Sequence, residues 1–237
     1  MFLTFSNTGC CTPELYLGFD KVTTGQHELD GRRAQFPSGA NEESPCGKFA
    51  DLNAENVQFN SAKLATKTDA ITISLWIKLL SKNGIQPVLV VAGEDGELRL
   101  EIAQGHLSWM YTSIGTPLAT FALLSVVPVV PAGLWTHLVV QYDAFTGRSA
   151  AFLNKKEILQ GVSGGGSLKI NWGEFTTIGQ SYINEVLRLK TKGNIDEFYI
   201  YFCAVPEMVI QRLADSCHVD GKCAAIGPGN IVGFATL

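Results

Sequence analysis

Two carboxylates in a row, Asp196 and Glu197, open a late apolar segment of this chain, and a second acidic set, Glu97-Leu-Arg-Leu-Glu101, stands nearer its middle. Paired carboxylates do one of two jobs. Flanking a glycosidic bond, one protonates the leaving oxygen while the other attacks or activates water. Grouped on loops, they supply oxygens to calcium, which takes about six to eight. Glu97 and Glu101 share one face of a strand, but Arg99 lies between them on that face. A cation there neutralises the pair, so the segment reads as a solvated strand face with ion pairs. The histidines, His27, His106, His137 and His218, are scattered, and no Ser/His/Asp arrangement is legible. No enzymatic activity is expected.

Cysteines stand at positions 10, 11, 46, 203, 217 and 223. An even number spread over loops and termini suits disulfides in an oxidising compartment; reduced thiols are the alternative. No pair has Cys-x-x-Cys spacing and only His218 lies near any of them, which argues against zinc.

The elements that must position these groups are mostly strands. Ala70 to Leu80 places Ile71, Ile73, Leu75, Ile77 and Leu79 on one face and Trp76 on the other. Pro87 to Ala92 pairs with Glu97 to Ala103 through Gly93-Glu-Asp-Gly96, a hairpin signal. Further strands are expected at Leu15 to Phe19, Val57 to Phe59, His106 to Thr112, Leu118 to Val126, Trp135 to Tyr142, Ser149 to Asn154, Glu157 to Leu159, Phe175 to Ile178 and Asn194 to Phe202. Only Glu207 to Ser216 reads as a helix. Pro206 suits its first position, and Val209, Ile210 and Leu213 form a narrow apolar stripe. Strands this short and this numerous split into two packed antiparallel sheets, a sandwich or jelly roll.

Composition sets the outer limits. The 237 residues are 46% hydrophobic and 17% charged, ample for a core, and the net charge of −4 offers no broad basic face for nucleic acid. No apolar run reaches the roughly 20 residues of a membrane-spanning helix. Met1 to Gly9 lacks the basic start and apolar run of a secretory signal. From His218 to Leu237 the chain has linker composition. The expected organisation is a leader or linker over 1–13, one domain over 14–217 and a tail over 218–237, together a piece of a longer protein.

Four segments, with the late one, resemble a known family. They are Leu15-Tyr-Leu-Gly-Phe-Asp20 with Asp30-Gly31, Cys46-Gly-Lys-Phe-Ala-Asp-Leu52, Ile71-Thr-Ile-Ser-Leu-Trp-Ile-Lys78, and Trp135-Thr-His-Leu-Val-Val-Gln-Tyr-Asp143 followed by Gly147 and Ala151-Phe-Leu-Asn154. With Gly193 to Leu213, their order resembles the laminin-G-like, concanavalin-A-like jelly-roll modules of extracellular proteins. Two positions depart from that pattern: Lys155 replaces a turn glycine, and Cys203 replaces a polar turn residue.

The resemblance implies an all-β two-sheet sandwich with one short C-terminal helix, first and last strands adjacent. Asp20, Asp30 and Asp196 then come close enough to hold a structural calcium; turn formation and backbone capping are their other possible roles. Cys46 and Cys217 become a candidate disulfide pair, closing a loop of about 170 residues and contributing about 2 to 4 kcal/mol. Cys10 or Cys11 pairs with Cys223, and Cys203 is either a buried free thiol or the partner of an N-terminal cysteine. Trp172 and Tyr182 are candidate sugar-stacking platforms, whereas Trp109 suits the core. Rim residues of interest are Asp95, Asp143, Asn171, Asn184 and Glu185. The implied function is a non-catalytic extracellular adhesion module that binds a carbohydrate or a protein. The alternatives are a spacer without ligand and a glycan-cleaving enzyme on the same fold.

Overall fold

The computed structural model describes residues 13–17, 27–29, 32–35, 45–46, 49–53, 57–93, 96–113, 119–183 and 187–215, with backbone alone at 27–29, 32–35, 92–93, 119, 182–183 and 187–188. In chain order the strands are β1 (Leu15–Leu17), β2 (His27–Leu29), β3 (Arg32–Gln35), β4 (Ala50–Asp51), β5 (Val57–Asn60), β6 (Lys67–Thr68), β7 (Ala70–Leu79), β8 (Ile85–Gly93), β9 (Gly96–Ala103) and β10 (His106–Ser113). They continue as β11 (Ala119–Leu124), β12 (Thr136–Asp143), β13 (Arg148–Leu153), β14 (Lys156–Val162), β15 (Leu168–Lys169), β16 (Phe175–Ile178), β17 (Gln180–Ile183), β18 (Leu187–Lys190) and β19 (Gly193–Tyr201). One helix, α1 (Glu207–Asp215), follows.

The strands form two large sheets. One runs β1-β19-β7-β12-β13-β14, with β4 also on β19. The other runs β2-β3-β5-β16-β8-β9-β10-β15-β6, with β11 on β10. All the strand pairings are antiparallel, and β17 and β18 make a separate hairpin. First and last strands are neighbours as expected, with Tyr16 opposite Tyr199.

The period-2 pattern explains the layering. Ile71, Ile73, Leu75, Ile77 and Leu79 of β7 all turn inward, as do Leu138, Val140 and Tyr142 of the adjacent β12 and Leu98, Leu100 and Ile102 of β9. Each fully buried aliphatic side chain contributes about 1.5 to 3 kcal/mol. The opposite face of the first sheet has a core of its own. Val209, Ile210 and Leu213 of α1 pack there on Val139, Ala150, Phe152, Tyr199 and Tyr201. The Pro206 carbonyl accepts from Ile210 N at 3.2 Å, so Pro206 caps a helix that begins at Glu207, one place before the first helical position expected for it.

Short strands escaped the sequence reading. β4, β6 and β15 have two residues each, too few to show a period, and β17 and β18 mix polar with apolar residues. Cys46 and Cys203 are both disulfide-bonded, which removes the free-thiol reading of Cys203. Cys10, Cys11, Cys217 and Cys223 lie outside the described residues.

Candidate functional site

The acid pair of β19 sits at a β-bulge. Asp196 pairs with Trp76 and Tyr199 with Ser74, so three steps on β19 match two on β7. The extra residue changes the alternation. Ile195, Phe198 and Ile200 face the main core, while Tyr199 and Tyr201 face the helix. Glu197 adopts a left-handed φ of 48° to do this. Its buried carboxylate accepts from Tyr16 Oη at 2.9 Å and Tyr199 Oη at 2.5 Å. Burial, reinforced by the Glu197 charge, raises both phenols above the usual tyrosine range. Asp196 is fully buried, and its Oδ1 accepts from Glu197 N at 2.9 Å. Asp20 and Asp30, the other two expected calcium ligands, lie outside the described residues, and among the described residues no three His, Cys, Asp or Glu side chains are grouped for a metal.

The outward face of β9 shows what Glu97 and Glu101 do. Arg99 pairs with Glu97, and its guanidinium lies 3.7 Å from Glu101. Partial burial pushes the Glu101 carboxyl up, and Arg99 opposes that shift. The arrangement is the ion-paired strand face the sequence indicated. His137 is likewise a core residue: its Nε2 lies 2.9 Å from Ser74 Oγ, and its backbone N donates to Asn154 Oδ1 at 2.9 Å. Burial, then the Lys155 charge, lowers its pKa to about 4.

One end of the sandwich holds a cavity of about 550 Å³ lined by Lys67, Thr68, Asp69, Ala70, Asp143, Phe202, Cys203 and Ala204. Three elements converge there: the turn from β6 into β7, the end of β12, and the segment after β19. Strand pairing puts the acids side by side, because Asp143 opposes Ala70, the residue after Asp69. The walls are fixed by local bonds. Asp69 Oδ1 accepts from Ser167 Oγ at 2.6 Å, and its carbonyl accepts from Ala144 N at 2.7 Å. Asp143 accepts from Phe145 N at 3.0 Å and Thr146 Oγ1 at 2.8 Å. Thr72 Oγ1 donates to the Cys203 carbonyl at 2.7 Å, anchoring the third wall. Asp69 and Asp143 bring acceptors to the lining and Lys67 a donor, the Thr68 hydroxyl is held by Ala70, and Phe202, partly buried against the main core, brings an apolar side chain.

Of these residues, sequence reading singled out Asp143 as a rim residue and Cys203 as a thiol. Lys67, Asp69 and Phe202 looked like ordinary turn and strand residues. The signal that finds Asp69 is the pairing of the β7 and β12 apolar runs, which carries it to Asp143. Trp172 is a correction: it is only 8% exposed, packs near Phe59 and donates from Nε1 to the Ala65 carbonyl at 3.0 Å, so it is a core residue, not a stacking platform. The glycines before it leave the chain free to fold the indole inward. Tyr182 lies on β17, its side chain outside the described set, and Asn171 is exposed; Asp95, Asn184 and Glu185 lie outside the described residues. Trp109 is buried as expected.

Comparison with known proteins agrees with this architecture. A search of curated proteins gives no match. Among solved structures, the ligand-binding domain of botulinum neurotoxin serotype D, in complex with N-acetylneuraminic acid, is similar with a TM-score of 0.63 and 14% identity, over 86% of this chain and 51% of that one. The binding domain of botulinum neurotoxin DC in complex with SialylT gives 0.51 and 16%, over 69% and 39%. The serotype G binding domain gives 0.52 and 10%, over 88% and 47%. The chain spans about half the length of the first and third of these domains, and identities this low carry the fold alone. A family model described as the concanavalin A-like lectin/glucanases superfamily matches residues 51–211. That match runs from β4 into α1 and takes in the β19 bulge, both cavity acids and most strands of the two packed sheets, so the chain belongs to the concanavalin A-like lectin/glucanase superfamily.

Proposed function

We propose that this domain is a non-catalytic carbohydrate-binding module whose ligand enters the cavity at the Asp69–Asp143 end. The observation that carries the reading is the make-up of that cavity: two carboxylates, one ammonium and one aromatic ring on walls held by hydrogen bonds. Sugar hydroxyls donate well to carboxylates, and the apolar face of a pyranose suits an aromatic surface. With two anionic groups against one cationic group, neutral sugars are favoured over acidic ones. The lectin-type fold and the sialylated ligands named for two structural neighbours support carbohydrate as the ligand class. The engagement of both Glu97 and Glu101 by Arg99 supports a binding rather than a cleaving role. An array of neutral and sialylated glycans tests the proposal. Binding concentrated on neutral glycans supports it, and an array blank across both classes contradicts it.

The setting we propose is extracellular, within a larger chain. The disulfide-bonded state of Cys46 and Cys203 supports an oxidising compartment. We keep Cys46–Cys217 as the proposed pair, with Cys10, Cys11 and Cys223 among the remaining bridges; peptide mapping without reduction decides it. A structural calcium held by Asp20, Asp30 and Asp196 is proposed on the chemistry of oxygen donors next to a buried acid pair. Chelation then lowers the melting temperature; an unchanged value removes the calcium.

A further inference from the structure

The end of the sandwich opposite the cavity has a different character. Three connections meet there: 80–84 after β7, 104–105 between β9 and β10, and 125–135 before β12. They are bonded into one surface. Gln104 N donates to the Gly84 carbonyl at 3.2 Å, Val129 N to the Gly105 carbonyl at 2.8 Å, and Gly133 N to the Leu79 carbonyl at 2.7 Å. Gly105 packs so tightly that a Cβ there would stand 3.1 Å from Pro128 Cβ and 3.6 Å from Lys82 Cδ.

Leu80, Ile85, Leu124, Val126, Val127 and Leu134 are all exposed on this surface, and Val126 is 91% exposed. Such crowding at one end of a folded domain marks an interaction site. Exposed lysines flank it. Lys82 lies beside Pro128, and the Lys192 carbonyl accepts from Leu80 N at 2.8 Å. Lys155 and Lys156 follow at the neighbouring β13–β14 turn. Lys155 pairs with Asp215, and Asp51, which accepts from Asn53 N at 2.8 Å, keeps its charge, so the cations the rim presents are Lys82, Lys156 and Lys192.

We propose that this end docks on an anionic phospholipid bilayer, with Val126 and Val127 entering the interface and Lys82 and Lys192 facing lipid phosphates. Composition selects the occupant. Protein interfaces are enriched in Tyr, Trp and Arg and depleted in Lys, whereas this patch is aliphatic and lysine-rimmed. Lysine stems lie along apolar surface with their ammonium groups in the headgroup layer, so this rim matches anionic lipid in charge and depth. The chain's net charge of −4 makes the cationic rim a local feature. The proposal is independent of sugar binding, since the cavity lies at the other end.

Co-sedimentation with phosphatidylcholine vesicles, with and without phosphatidylserine, tests it. The domain is expected on the phosphatidylserine vesicles and to leave them as salt rises. The V126D/V127D variant is expected to bind at least about tenfold more weakly, and K82Q and K192Q each about fivefold more weakly, with unchanged melting temperatures. D143N in the cavity is expected to bind vesicles as wild type does. Wild-type protein that stays in the supernatant with both vesicles overturns the proposal. So does binding indifferent to V126D/V127D, or a dimer in solution that V126D/V127D dissociates.

Discussion

Tyr16 on the first strand donates its hydroxyl to the carboxylate of Glu197 on the last, 2.9 Å away across 181 residues of chain. The bond ties β1 to β19 on the face that α1 closes, and the bulge that turns Glu197 toward it lies in the closing Gly-x-Ile-Asp-Glu segment. The acid pair is therefore a feature of the architecture first. Glu197 organises two tyrosines, and Asp196 holds the bulge through Glu197 N.

Replacing Glu197 by Ala is expected to destabilise the domain by about 2 to 4 kcal/mol, because two buried hydroxyls lose their acceptor. Tyr16→Phe removes one donor and is expected to cost about 1 to 2 kcal/mol. In a double-mutant cycle by denaturant unfolding the two losses should fall short of additivity. Strict additivity would show that the Tyr16–Glu197 bond carries no coupling.

His137 predicts a pH dependence. Its pKa is about 4 in the fold against 6.5 for a free imidazole, so below about pH 6.5 the unfolded chain takes a proton that the folded chain refuses. Stability therefore falls with pH between about 6.5 and 4, and by about 1.5 kcal/mol between pH 6.5 and 5 from this group alone. Unfolding midpoints of wild type and His137→Asn across that range check it. The expected result is a shallower slope in the variant; parallel slopes would assign the effect elsewhere.

The β13–β14 turn carries Asn154 at φ 47° and Lys155 at φ 74°, the two left-handed positions of a tight hairpin. Asn tolerates this, and Gly is the favoured second residue. Lys155→Gly is expected to raise stability by about 0.5 to 1 kcal/mol, even though the exposed pair with Asp215 is lost. Lys155→Val should lower it, since a β-branched residue fits that conformation least. Denaturant midpoints in the order Gly, wild type, Val support the account, and the reverse order contradicts it.

The large strands were legible because burial imposes a period of two: Ile71 to Leu79 and the Glu97–Arg99–Glu101 face both lie as the alternation requires. The Trp76 and Trp135 segments, the Gly93–Gly96 hairpin and the α1 stripe were legible for similar local reasons. The cavity was not. Its residues come from three separate parts of the chain, and each alone looks like a turn residue. Only the pairing of Ala70 with Asp143 brings Asp69 to Asp143. Trp172 was misread because local sequence shows a flexible approach but not the inward pocket beside Phe59.

The most direct test of the carbohydrate-binding account is calorimetric titration of the best-bound neutral oligosaccharide from the array into wild type, Asp69→Asn, Asp143→Asn and Lys67→Ala. These side chains are exposed or half-buried; Asp69→Asn keeps an oxygen for Ser167, and Asp143→Asn keeps one for Phe145 N while its amide NH2 faces Thr146 Oγ1, a hydroxyl that also accepts. The account predicts wild-type binding that weakens about tenfold or more in each aspartate variant, at unchanged melting temperature. Equal affinity in wild type and all three variants would contradict it and move the sugar site away from this cavity.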